Sequence, residues 1–181
     1  SFISQPRDQT FNYDATGNVV KVTQPDATFL RYWYDDANRL TGISDSDTAG
    51  AGNRVAYTLD AAGNRTKEDT FDTAGTLKRQ LARQYNALRQ LRSLVNAPYA
   101  GQANLDDPSV KKTTLTYDPN GNQDLSTDPL STVTDNDYDP LNRLIKTIGD
   151  KGVAAGDINA TTQYTYDARD NLRSVVDPKS L

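Results

Sequence analysis

Apolar and polar residues alternate in short runs along this chain, and the same punctuation interrupts the alternation again and again. Runs such as Phe29-Leu30-Arg31-Tyr32-Trp33-Tyr34, Leu115-Thr116-Tyr117 and Tyr164-Thr165-Tyr166 have the period of two that places alternate side chains on one face of a strand. Tyr32 and Tyr34 are therefore expected to share a face, as are Tyr164 and Tyr166. Each run closes on an aromatic followed by Asp or Asn, two variable residues, a Gly or polar residue, and a second polar residue. Asp favours backbone-bonded turns, and Gly17, Gly63, Gly75 and Gly121 stand where positive φ is needed, so the punctuation predicts hairpins.

Six copies begin with Tyr: Tyr13-Asp14, Tyr34-Asp35, Tyr85-Asn86, Tyr117-Asp118, Tyr138-Asp139 and Tyr166-Asp167. Leu59-Asp60 and Phe71-Asp72 fit with the aromatic softened, giving about eight degenerate repeats over residues 1–181. Anchor-to-anchor gaps of 21, 25, 12, 14, 32, 21 and 28 residues keep the turn and vary the connector. Self-similarity of this kind marks a repeat protein rather than a globule with one sequence-wide core.

Six residues beyond most anchors stands an apolar residue (Val19, Leu40, Leu77, Leu91, Leu144, Leu172), and nine beyond stands another (Val22, Ile43, Leu94, Val175). A separation of three puts the two on opposite faces of a regular strand unless a bulge intervenes. Some covering of both faces is expected. Residues 77–95 contest the β reading, because Leu77, Leu81, Leu88, Leu91 and Val95 fall near helical spacing. The fit of Tyr85 to Leu91 to the module favours strands there. Asp45 to Asn53, Asn96 to Asp107 and Gly149 to Ala160 read as surface loops. Pro25 and Pro129 lie nine residues before Tyr34 and Tyr138, and by the same spacing Pro178 predicts a further anchor beyond Leu181.

Composition sharpens this picture. Hydrophobic residues make up 35% of the chain, yet ten Tyr, four Phe and one Trp argue against disorder and for a thin, two-sided sheet. The expected fold is all-β, with repeated hairpins forming an open, curved antiparallel sheet. A net charge of -4 gives no basic footprint for nucleic acid, and no apolar run is long enough to span a bilayer as a helix. The chain contains neither Cys nor His, which removes thiol nucleophiles, Ser-His-Asp triads, His bases and zinc sites built on His or Cys. An enzyme is not expected, nor a cofactor or a metal.

The remaining candidate residues have plainer roles open to them. Tyr-Asp pairs are expected to anchor the sheet and shape its turns; as a sugar-stacking surface, the candidate carbohydrate contacts are Trp33 and Tyr32. Asp45-x-Asp47-x-x-Gly50 and Asp135-Asn136-Asp137 do not complete a calcium loop and read as solvated acids. The neighbours Asp106 and Asp107 do not establish the carboxylate separation of a glycosidase. Asn64-Arg65-Thr66 and Asn159-Ala160-Thr161 match the glycosylation acceptor pattern by chance in an Asn- and Thr-rich chain. The cluster Lys78, Arg79, Arg83, Arg89 and Arg92 reads by default as a solvated or internally paired face.

The reiterated Tyr-Asp-x-x-Gly/Asn-Asn/Arg-Leu, with Thr-rich strands and connectors such as Thr127-Asp128-Pro129-Leu130 and Val176-Asp177-Pro178-Lys179, resembles the YD repeats of Rhs proteins. These also occur in the C component of insecticidal toxin complexes and in teneurins. The resemblance runs from Thr10 to Pro178. It implies a long β-sheet spiralling into a hollow shell, which in bacterial toxin systems is secreted or held at the cell surface and encloses a C-terminal toxic domain. On that basis the chain is read as a fragment of a larger protein, partnered by the rest of its shell and by an enclosed toxin. Other members imply cell-surface adhesion with carbohydrate binding, and open sheet edges imply self-association into filaments as a further alternative. The chain departs from the full pattern in being too short to close a shell and in lacking the core-ending motif and the toxin domain.

Overall fold

In a computed structural model, the described residues are 8–97, 105, 107, 109–152 and 158–177. They form fourteen strands: β1 (Thr10–Tyr13), β2 (Val19–Thr23), β3 (Phe29–Tyr34), β4 (Leu40–Ser44), β5 (Arg54–Leu59), β6 (Arg65–Phe71), β7 (Leu77–Tyr85), β8 (Leu91–Ala97), β9 (Thr113–Tyr117), β10 (Gln123–Thr127), β11 (Val133–Tyr138), β12 (Leu144–Gly149), β13 (Ala160–Tyr166) and β14 (Leu172–Val176). Strand order in the open sheet follows chain order from β1 to β14, and the registered pairs are antiparallel. No helix occurs among the described residues, so none is long and apolar enough to cross a membrane. Residues 77–95 form β7 and β8: the turn chemistry at Tyr85 overrides helical spacing.

Two compact units make up the chain, residues 1–89 with 95–110, and residues 90–94 with 111–181. In the first unit the only deeply buried apolar residues described are Ala82, Val95 and Leu105, with Val110 packed against them. Leu105 and Val110 belong to the long connector after β8, so an insert caps the strands β7 and β8. The loop after β4 is a second insert, closed where the Ser44 hydroxyl donates to the Ala51 carbonyl at 2.7 Å. β14, in the second unit, is exposed along its whole length.

Expected covering of both faces is not what reconciles the apolar residues at six and nine. Tyr13 pairs with Val19 and Asn12 with Lys21, which leaves Val20 as an extra residue in β2. The same shift occurs at Trp33/Tyr34, Thr58/Leu59, Asp137/Tyr138 and Thr165/Tyr166. Each bulge restores parity, so Val19 and Val22 lie on one face with Tyr13 and Phe11. The loop Asp45 to Asn53 is as expected. The other two expected loops, Asn96 to Asp107 and Gly149 to Ala160, fall partly outside the described residues, as do Asp106 and Pro178 entirely.

Candidate functional site

The repeated turn is built by one carboxylate. In the β1–β2 hairpin the Asp14 amide donates to the Asn18 carbonyl at 3.0 Å and the Gly17 amide to the Asp14 carbonyl at 3.2 Å. One carboxylate oxygen of Asp14 accepts the amides of Thr16 and Asn18, each at 2.9 Å, while the other accepts the Asn18 side-chain amide at 3.0 Å. Asp118 repeats this with Asn120 and Asn122, and Asp167 with Arg169 and Asn171. At Asp35 and Asp139 the fifth residue is Arg, whose guanidinium pairs with the second oxygen at 2.7 and 2.6 Å. Asn86 has an uncharged amide in place of the carboxylate, and its side-chain oxygen accepts the Leu88 amide at 3.0 Å.

Accepting these donors favours the charged carboxylate. The Thr16 hydroxyl, then the Asn18 side-chain amide, hold Asp14 down at about 2. Asp60, Asp118 and Asp167 are lowered first by their Asn partners, Asp35 by Arg39, and Asp139 first by the Arg143 backbone amide. The fourth residue takes positive φ in every copy, as Gly17, Gly63, Gly75 and Gly121, but also as Asn38, Arg89, Asn142 and Asp170. Asn and Asp tolerate this region better than most residues, whereas Arg89 has no such excuse.

The tyrosine joins one hairpin to the next. Tyr34 donates its hydroxyl to the Val19 carbonyl at 2.9 Å, Tyr85 to Arg65 at 3.3 Å, Tyr117 to Leu91 at 2.8 Å, Tyr138 to Gln123 at 3.0 Å and Tyr166 to Leu144 at 2.8 Å. Every acceptor is the residue six beyond an earlier anchor, and at Val19, Arg65, Gln123 and Leu144 the register shifts there. Tyr34 and Tyr138 are pushed above the ordinary phenol range by burial, with Asp14 and Asp118 of the preceding turns adding to it. Tyr13 is 60% exposed, and its hydroxyl bonds nothing among the described residues.

A second link runs from the fifth residue of one turn to the next turn. Asn18 donates to the Asn38 side-chain oxygen at 2.9 Å, Asn122 to that of Asn142 at 2.9 Å, and Arg143 to Asp170 at 2.7 Å. Arg39 reaches the Asp60 carbonyl at 2.9 Å, and Gln90 reaches that of Gly121 at 3.4 Å. Neither linkage was anticipated from sequence. The regular position of the polar fifth residue was the available signal.

Turns on the other side of the strands reuse the carboxylate without the tyrosine. Asp72 accepts the Thr76 amide at 2.8 Å and pairs with Lys78 at 2.8 Å, which makes Phe71-Asp72 a β6–β7 connector rather than an odd-to-even hairpin such as β5–β6. Asp128 binds the amides of Leu130 and Thr132, each at 2.8 Å. Asp45 holds Asn53 by its amide at 2.8 Å and its side chain at 2.7 Å, the same clamp closed around an inserted loop.

The candidate carbohydrate contacts do not meet. Tyr32 pairs with Ile43, and its neighbour Trp33 pairs with Gly42, so the two rings point to opposite faces of β3. Trp33 lies over Gly42 and Ala56 in a hollow of about 180 Å³ roofed by Ala49 and Gly50, with its indole N–H buried and unbonded. Tyr32 and Tyr34, and Tyr164 and Tyr166, do keep common register on their strands. Asp47 pairs with Lys21, Asp137 with Lys146 and Asp135 with Lys151, and no acidic cluster able to hold a metal occurs among the described residues. In the basic cluster, Lys78 pairs with Asp72 and Arg79 donates to Asn96 at 3.1 Å.

Residues 13–49 match the RHS Repeat family. The chain resembles part of a Photorhabdus luminescens Tc holotoxin pore carrying a mutated TccC3, with 20% identity, a TM-score of 0.67, and coverage of 95% of this chain and 9% of that one. It resembles a TcdB2-TccC3-TEV crystal structure at 19% identity and a TM-score of 0.64, again over 95% and 9% of the two chains. At such identities the likeness establishes the fold. No curated protein matches the chain.

Proposed function

We propose, from the premise that this is a YD-repeat chain of the Rhs type, that it serves as a wall segment of a secreted toxin shell, enclosing a polypeptide and catalysing nothing. The observation that carries the reading is the doubled linkage between hairpins. A wall must keep its sheet continuous while tolerating sequence change, and here each Tyr-Asp turn is closed by backbone bonds to one carboxylate and tied to its neighbour by a tyrosine hydroxyl. The likeness to Tc toxin chains, of which this chain covers 9%, supports a small part of a much larger wall.

Partners on this reading are further hairpins of the same kind and the enclosed polypeptide. The exposed residues of β14 and the unbonded hydroxyl of Tyr13 are the surfaces such hairpins would cover. The test is protease protection of the parent protein. Its C-terminal segment should resist digestion while the shell is intact and be cut once urea opens it; cutting at the rate of the free segment in both conditions overturns the reading. Concentration-dependent fibres from this chain alone would favour filament assembly instead.

A further inference from the structure

Within the first unit, Arg39, Leu40, Leu59, Gly63, Arg65, Arg83 and Tyr85 line an open hollow of about 450 Å³. Three of its walls are guanidinium-bearing and none carries a carboxylate, in a chain with 24 acidic and 20 basic side chains. The nearby acids are already engaged. Asp35 pairs with Arg39, Glu68 lies 3.4 Å from Arg65, and Asp60 accepts from Asn64 twice. Arg65 is further fixed by stacking on the Tyr57 ring at 3.6 Å, and Arg39 by its bond to the Asp60 carbonyl. Arg83 is different: the residue is half-buried, and its guanidinium makes no ion pair or hydrogen bond among the described residues.

None of its nitrogens is among the buried unbonded atoms, so water reaches a guanidinium whose donors are unused and whose planar fork matches an oxyanion. The hollow is within the size range of small-ligand sites, and Leu40, Leu59 and the Tyr85 ring give it an apolar side. We propose that it binds a small anion, a carboxylate or phosphate group on a compact apolar body, with Arg83 as the primary contact beside the ion-paired Arg39 and Arg65. This site is independent of the wall reading, since it needs only the first unit's own residues.

The experiment is a heteronuclear NMR titration of the 181-residue chain with benzoate, with its neutral isostere benzamide, and with inorganic phosphate. Benzoate or phosphate should give saturable shifts at Leu40, Leu59, Gly63 and Tyr85 that weaken with added salt, and benzamide should not. Arg83→Gln should weaken binding by roughly tenfold or more, Arg83→Lys by less, and Arg79→Gln not at all. Should Arg83→Gln unfold the chain, the benzoate-benzamide difference in the unmodified chain still decides. Saturation by phosphate alone identifies the ligand group as phosphate; equal response to benzoate and benzamide, or no saturation by either anion, overturns the proposal.

Discussion

The turns at the two ends of the strands use the same carboxylate clamp but obey different rules. Odd-to-even turns, such as those at Asp118 and Asp139, span five residues from the clamp to its partner, and five of them open on a tyrosine whose hydroxyl reaches an earlier hairpin, Tyr13 and Leu59 being the exceptions. Even-to-odd turns range from the compact Asp128–Thr132 to the Asp45–Asn53 loop and the long connector before β9, and among the described residues they carry neither the tyrosine nor the fifth-residue link. The difference teaches where this architecture can vary. Length is fixed where a turn must reach its neighbour, and free where it need close only its own hairpin.

The largest effect that would sharpen this contrast is at the fourth turn position. Gly121 has φ of 90°, and a Cβ there would also approach Gln90 at 3.3 Å. Gly121→Ala should lower unfolding stability in urea by about 1–2 kcal/mol. The even-to-odd turn offers the reverse change, because Ser131 holds φ of 72° without glycine's freedom. Ser131→Gly should raise stability by about 0.5 kcal/mol. Loss of stability at both sites would break the comparison.

Acid should separate the two turn sets in a different way. Asp14, Asp35, Asp60, Asp118, Asp139 and Asp167, all in odd-to-even turns, are lowered in the folded chain, against Asp26 and Asp72 in the others. A carboxyl lowered by folding contributes stability that is present above its unfolded value of 3.8 and lost as pH falls through its folded value, which for Asp14 is about 2. The urea midpoint should therefore fall as pH drops from about 5 towards 2. As pH falls, amide exchange should show Thr16, Asn120 and Leu141, held by Asp14, Asp118 and Asp139, losing protection, while Leu88, held by the uncharged Asn86 side chain, keeps it. Equal loss at Leu88 would mean that the carboxylate charge is not what holds these turns.

Much of this was legible because the physics is local. Asp followed four residues later by Asn or Arg is a complete turn within five positions, and Gly17, Gly63, Gly75 and Gly121 announce their φ. What stayed hidden crosses between hairpins or is displaced by insertion. The acceptors of the tyrosine hydroxyls are backbone carbonyls, which leave no residue signature, and the bulge at Val20 erases the odd spacing that suggested two covered faces. The Asp45–Asn53 clamp was masked by the residues between its partners, and Leu105 gave no sign that it would cap Val95. The opposite facing of Tyr32 and Trp33 was available from the period of two, and it separates the pair named as one sugar surface.

The central claim is that tyrosine couples consecutive hairpins through its hydroxyl, and Tyr13 and Tyr138 test it as a pair. The Tyr138 hydroxyl bonds the Gln123 carbonyl, whereas that of Tyr13 bonds nothing described. In urea unfolding, Tyr138→Phe should cost about 1 kcal/mol, the worth of a partly buried hydrogen bond, and Tyr13→Phe should stay within about 0.5 kcal/mol of the unmodified chain. Equal costs for the two substitutions, or none for Tyr138→Phe, would contradict the account.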